Sequence, residues 1–122
     1  MSQHEERLRR LAIHDGSYIE RILCPGGANA ASISLDGRAR SLVRVGVLVA
    51  IDAPDATFDA EVASALANGA TADDVVDVLI ATCSLVGSAH IASTAPRVAR
   101  ALGYDLDAAL EGHGEGMALG RG

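Results

Sequence analysis

The sequence predicts an all-α protein, and three observations carry that reading. Residues that start and stop helices recur at intervals of about fifteen positions. Between them, apolar residues return at three- and four-residue spacing. The chain is also rich in Ala, with only two Tyr, one Phe and no Trp. Small side chains let helices approach closely but fill little volume. A single domain is the expectation for 122 residues. Cores of this size are marginal, so completion of the core by other subunits is expected.

Ser2 and Glu5 have the spacing of a capping box, which lets the first helix begin near the N-terminus. Leu8, Leu11 and Ala12 form its apolar stripe. Asp15 or Ser17 can cap a short second helix carrying Ile19, Ile22 and Leu23. "CPGG" (24–27) ends it, and "ANAASIS" reads as a loop. Asp36 can cap a third helix running to about Ile51. Its centre, "LVRVGVLVAI", is apolar all round except for Arg44. Val and Ile would also suit a strand, but about sixteen unbroken residues exceed a typical strand. A helix apolar on every face needs cover on every face.

Pro54 breaks the chain, and Thr57 is the expected cap of a fourth helix with Phe58, Val62, Ala65 and Leu66 on its inner face. Asn68-Gly69 stops it. Thr71 to Asp74 resembles a capping box for a fifth helix, whose face is Val75, Leu79, Thr82, Cys83 and Val86. Gly87 ends or kinks it. The sixth helix presents Ile91, Ala95, Val98, Ala99 and Leu102. Pro96 predicts a break near Ser93-Thr94, with Thr94 capping the second piece. Gly103 closes it, Asp105 caps a short turn through Leu110, and the Gly-rich tail is expected to be disordered or to lie over a neighbour.

Composition excludes several functions. A net charge of -6 with no basic stripe argues against a nucleic-acid partner. All basic residues are Arg, so Schiff-base chemistry by a lysine amine is excluded. The charged start "MSQHEERLRRL" is unlike a signal peptide. No apolar run reaches the roughly 20 residues of a membrane span. A cytoplasmic protein without membrane association is therefore expected. Cys24 and Cys83 fit no CxxC pattern and read as free thiols. His4, His14, His90 and His113 lack metal-ligand spacing, so no metal is expected. "GHGEG" in the tail has no strand before it and no helix after it, and is not a phosphate loop.

"LDGRARSLV" opening a buried helix, "ALANGAT" joining two helices, "DVVDVLI" after it and then "CSLVG" together resemble the carboxymuconolactone decarboxylase-like family. That family includes the AhpD-type alkylhydroperoxidases. The likeness spans residues 35 to 102. It implies an AhpD-like all-α fold of about six helices, with a central antiparallel helix pair, assembled as a homotrimer or homohexamer. Residues 1–34 are then N-terminal helices and a loop, 35–110 the family domain and 111–122 the tail. Peroxidase members carry C-x-x-C-x-x-x-H at the junction where this chain has Pro54, Thr57 and Glu61. Their proton-relaying Glu corresponds to Ser41. A His implicated in the decarboxylase branch also falls on Glu61, while the cysteine of "CSL" persists as Cys83.

Four residues stand out as candidates. Glu61 in a subunit crevice could act as a general acid or base; its plainer role is to favour the helix dipole. Cys83 could be a nucleophile if His90 lowers its pKa; otherwise it is a small core hydrophobe. His90 is otherwise an unremarkable residue near a helix start. Arg44, a lone charge in an apolar helix, needs a partner. Glu61, Asp52 and Asp55 are the candidates, and a substrate carboxylate is the functional alternative. The leading expectation is cofactor-free decarboxylation or isomerisation of a small acidic or lactone substrate. Glu61 would be the acid or base, with Arg44 or His90 on an anionic group. The alternatives are a non-catalytic oligomeric scaffold or small-molecule binder, and a peroxiredoxin-like thiol protein using Cys83.

Overall fold

A computed structural model describes residues 2–23 and 33–104. The described residues form six helices and no strand. Internal contacts divide the chain into Met1–Asp36 and Gly37–Gly122.

The first unit holds α1 (Gln3–Ala12) and α2 (Gly16–Leu23). Ser2 caps α1 by accepting the Glu5 N–H at 3.3 Å. Glu6 pairs with Arg9 at 2.8 Å and Arg10 at 3.0 Å. Hydrogen bonds from Arg9 and then Arg10 hold the Glu6 carboxyl down at about 2. Asp15 caps α2 through its side chain, accepting the Tyr18 N–H at 3.2 Å. Neither helix buries a residue, and Leu8, Leu11 and Leu23 are exposed. The expected turns at "CPGG", at "ANAASIS" and after Asp105 lie outside the described residues.

The second unit packs α3 (Gly37–Ile51), α4 (Asp55–Ala67), α5 (Ala72–Val86) and α6 (Ser88–Ala101). α3 lies against α4 and α5, and α6 closes on the same two helices. Three residues join α3 to α4, so the pair runs antiparallel. The core is Val45 and Val49 of α3, Phe58, Val62 and Ala65 of α4, Val75 and Leu79 of α5, and Val98 of α6. Each fully buried Val or Phe contributes about 1.5–3 kcal/mol. Leu66, expected on this inner face, is instead exposed.

Local signals set most of the ends. α5 begins with a complete capping box: Thr71 accepts the Asp74 N–H at 3.1 Å, and Asp74 accepts the Thr71 N–H at 2.9 Å. α4 stops at Asn68, with Gly69 at φ +94°, and Gly87 at φ +93° separates α5 from α6.

Two expected ends are corrected. Thr57 does not cap α4. The helix starts at Asp55, and Pro54 is the cap, its carbonyl accepting the N–H groups of Thr57 at 3.0 Å and Phe58 at 3.2 Å. Proline's preset φ serves this position without a side-chain hydrogen bond. Nor is the last helix broken: α6 runs through Pro96. Ala92, whose carbonyl loses its partner to Pro96, is exposed, and so is Pro96; water can serve that oxygen. Thr94 is not a cap but donates its hydroxyl back to the His90 carbonyl at 2.5 Å.

Candidate functional site

The seam between α3 and α4 gathers polar residues at matched steps. On α3 these are Gly37, Ser41 and Arg44, on one face by helical spacing. On α4 they are Glu61, Ser64 and Asn68. Because the helices run antiparallel, they meet in three rungs. Arg44 donates Nε–H to Glu61 Oε1 at 2.8 Å. The Ser41 and Ser64 hydroxyls lie 3.4 Å apart. Gly37 lies so close to Asn68 that a Cβ there would sit 2.4 Å from Oδ1. Only glycine fits that position while Asn68 donates to the Ser64 carbonyl at 2.8 Å.

The first rung is asymmetric. The Arg44 side chain is 59% exposed, whereas that of Glu61 is only 14% exposed. The sequence led to the expectation of a cation drawn into an apolar helix; the structure shields the carboxylate instead. Arg44 lies at the edge of α3, where its guanidinium reaches across to α4 while its outer side meets solvent. Phe58 and Val62, both fully buried, fix the α4 face beside Glu61.

The α3–α4 junction is tied down from α6. Asp52 takes a left-handed conformation at φ +56°, and the Ala53 N–H reaches back to the Leu48 carbonyl at 3.1 Å. Arg97 binds Asp52 Oδ1 and the Ala53 carbonyl, each at 2.9 Å, and Asp55 at 3.4 Å. Arg100 adds Asp59 at 3.0 Å and Asp55 at 3.8 Å. His90 donates from Nε2 to the Val49 carbonyl at the end of α3.

The four sequence candidates are therefore not one constellation. Arg44 and Glu61 meet. Among the described residues, no hydrogen bond or ion pair joins His90 or Cys83 to that pair, or to each other. His90 is turned to α3, and Cys83 is a half-buried free thiol on α5. A cleft of about 540 Å³ between α5 and α6, lined by Ala72, Val76, Leu79, Val98, Leu102 and Tyr104 among others, includes none of the four. Sequence reading missed Arg97 and Arg100. Their signal was present: two Arg three apart on one helix, facing Asp55 and Asp59 four apart on another.

An all-α unit built on an antiparallel pair, joined through Pro54 and carrying a largely shielded acidic residue on the second turn of its second helix, defines the class. The sequence matches the model of the carboxymuconolactone decarboxylase family over residues 26–101. That is well over half of the chain, and the protein belongs to this family. No curated protein and no solved structure matches it. No described helix is long and apolar enough to cross a membrane.

Proposed function

We propose that this family member performs cofactor-free acid–base chemistry on a small acidic or lactone substrate at the Arg44–Glu61 rung, in a cytoplasmic assembly of three or six copies. The observation that carries the reading is the asymmetry of the pair, a shielded Glu61 side chain beside a more than half-exposed Arg44 side chain. Arg44 binds Glu61 through Nε, and its outer edge offers the planar fork that suits a carboxylate. An anion held there brings its acidic carbon toward Glu61. The ion-paired Glu61 is a base: it takes a proton from carbon next to a carbonyl, and Arg44 offsets the charge of the resulting enolate. Return of that proton to a conjugated carbon completes an isomerisation. Decarboxylation would leave the same enolate by loss of carbon dioxide, with Glu61 then needed in its acid form.

Dithiol peroxidase chemistry has no support, since Pro54 and Thr57 stand where attacking and resolving thiols would be needed. A specific observation favours a non-catalytic scaffold as the second reading: the apolar cleft excludes all four candidates. Incubation with a panel of small lactone acids in deuterated water separates the two. Solvent deuterium entering the substrate with wild type, and lost in Glu61→Gln and Arg44→Met at unchanged assembly, supports the enzyme. No exchange or turnover by a correctly assembled wild type leaves the scaffold.

A further inference from the structure

The apolar cleft between α5 and α6 lies beside the place where the chain leaves α6. Its floor is core, with Leu79 and Val98 buried, and its rim carries the exposed Val76 and Tyr104. The Tyr104 hydroxyl is the one polar side-chain group among its lining residues. The end of α6 fixes how the chain departs. The Gly103 N–H bonds the Arg100 carbonyl at 3.0 Å, the Tyr104 N–H bonds the Ala99 carbonyl at 2.9 Å, and Gly103 takes φ +80°. A glycine at such a left-handed angle turns the chain back over the last turn of its helix, and sets the residue after it against the one five positions before that residue. Here those two are Tyr104 and Ala99, and both line the cleft. Tyr104 therefore hands the chain on at the edge of the cleft.

We propose that the chain's own C-terminal segment fills this cleft through Leu106, Ala109 and Leu110. At helical spacing these three share one face, with Asp107 and Glu111 on the other. Asp105 stands where a helix start favours an aspartate. The lengths match as well. The lining runs from Ala72 to Leu79 on α5 and from Ala95 to Leu102 on α6, about 10 Å in each at the helical rise. Residues 105–110 in a helix span about 9 Å. A cleft of about 540 Å³ also has the volume of a small-molecule pocket. Two arguments favour the chain's own segment over a free ligand. A short tether gives an attached segment an effective concentration on the order of millimolar, which an apolar molecule in water does not match. Small-molecule pockets also carry a few placed polar groups to orient the ligand, and here there is one hydroxyl at the rim. The cleft is thus the seat of the chain's own end and not a ligand pocket. The inference goes beyond the proposed function and does not rest on it, because none of the four candidate residues lines the cleft.

Hydrogen–deuterium exchange of the full chain, read by mass spectrometry, tests this together with binding of Nile red, a neutral apolar dye. Amides of residues 106–111 are expected to exchange at least about tenfold more slowly than those of 113–121, and to keep that protection when the protein is diluted. Val76 is on the exposed rim, so Val76→Asp should keep its helicity by circular dichroism. It should speed exchange of 106–111 by at least about tenfold. Leu106→Asp with Leu110→Asp is the second variant, which replaces no core residue and serves should Val76→Asp misfold. It should open the cleft and raise Nile red emission severalfold, a gain that Val76→Asp in the same chain cancels. Unprotected 106–111 amides, or protection that survives Val76→Asp, overturns the proposal. Protection lost on dilution also overturns it, because the segment would then come from a second copy. Wild type that binds Nile red as strongly as the double variant overturns it in favour of a small apolar ligand. None of these readouts depends on turnover at Glu61, so failure here leaves the proposed chemistry standing, and failure of that chemistry leaves the segment in its cleft.

Discussion

Arg44 and Glu61 should contribute unequally to stability, and the inequality follows from their exposures. Arg44→Met keeps the aliphatic stem and removes the charge. It strips Glu61, with 14% of its side chain exposed, of its hydrogen bond from Nε. Losing a hydrogen bond to a shielded charged group costs about 1.5–3 kcal/mol. Glu61→Gln keeps the shape, and its amide oxygen still accepts from Nε. The Arg44 side chain left behind is more than half exposed and can be hydrated, so the loss is that of a surface pair, about 0–1 kcal/mol. The expected order is Arg44→Met worse than Glu61→Gln by about 1–2 kcal/mol. The double variant should cost about 1 kcal/mol less than the two losses added. Urea unfolding measures all three, at one fixed protein concentration because assembly adds to apparent stability. Glu61→Gln proving the costlier change would refute the reasoning. So would additivity within about 0.3 kcal/mol.

Two other outcomes follow from single contacts. The Asp74 carboxyl lies below the usual range because the Thr71 N–H, and then the Arg38 guanidinium, favour its charged form. A lowered folded value means the carboxylate stabilises the fold above its unfolded pKa of about 4, and that this contribution fades as pH falls below it. Wild type and Asp74→Asn should therefore differ near neutral pH and converge on acidification; a gap that widens in acid would contradict the assignment. Pro96→Ala restores an N–H inside α6 and removes a ring from the helix interior. A gain of about 1–3 kcal/mol is expected, reduced by the looser unfolded chain. Thermal unfolding at fixed concentration would show it, and a lower midpoint would mean that α6 depends on its proline.

Most of the fold could be read from local chemistry. Thr71 and Asp74 lie three residues apart, and Asn68-Gly69 and Gly87 need only their own backbone angles to end a helix. Each was visible because cause and effect share one turn of chain. Pro54 misled because Thr57, a good cap, stood three residues further on. Yet the proline starts the helix with its carbonyl and fixed φ, leaving Thr57 inside the first turn. The candidate site was less legible. Arg44 could have met Glu61, Asp52 or Asp55, and only the antiparallel packing of α3 on α4 decides for Glu61. His90 finds the Val49 carbonyl 41 positions away, and Arg97 reaches Asp52 across 45. Such contacts depend on where α6 crosses the junction, which no local pattern encodes.

The three seam rungs also limit how relatives of this chain can vary in length. Gly37 to Arg44 on α3 and Glu61 to Asn68 on α4 are spans of equal length, read in opposite directions. One residue inserted within either span turns everything beyond it by about 100°. Arg44 would swing off the seam, or a side chain would arrive where Asn68 leaves room only for glycine. A matching insertion in the other helix would not repair this, because both helices would then have turned. Length changes are thus confined to the stretches before Gly37 and after Asn68, and to the Asp52–Pro54 link only if Arg97 gives up its hold on Asp52 and Ala53. Alignments of related sequences should show gaps in the first two places and none between the rungs.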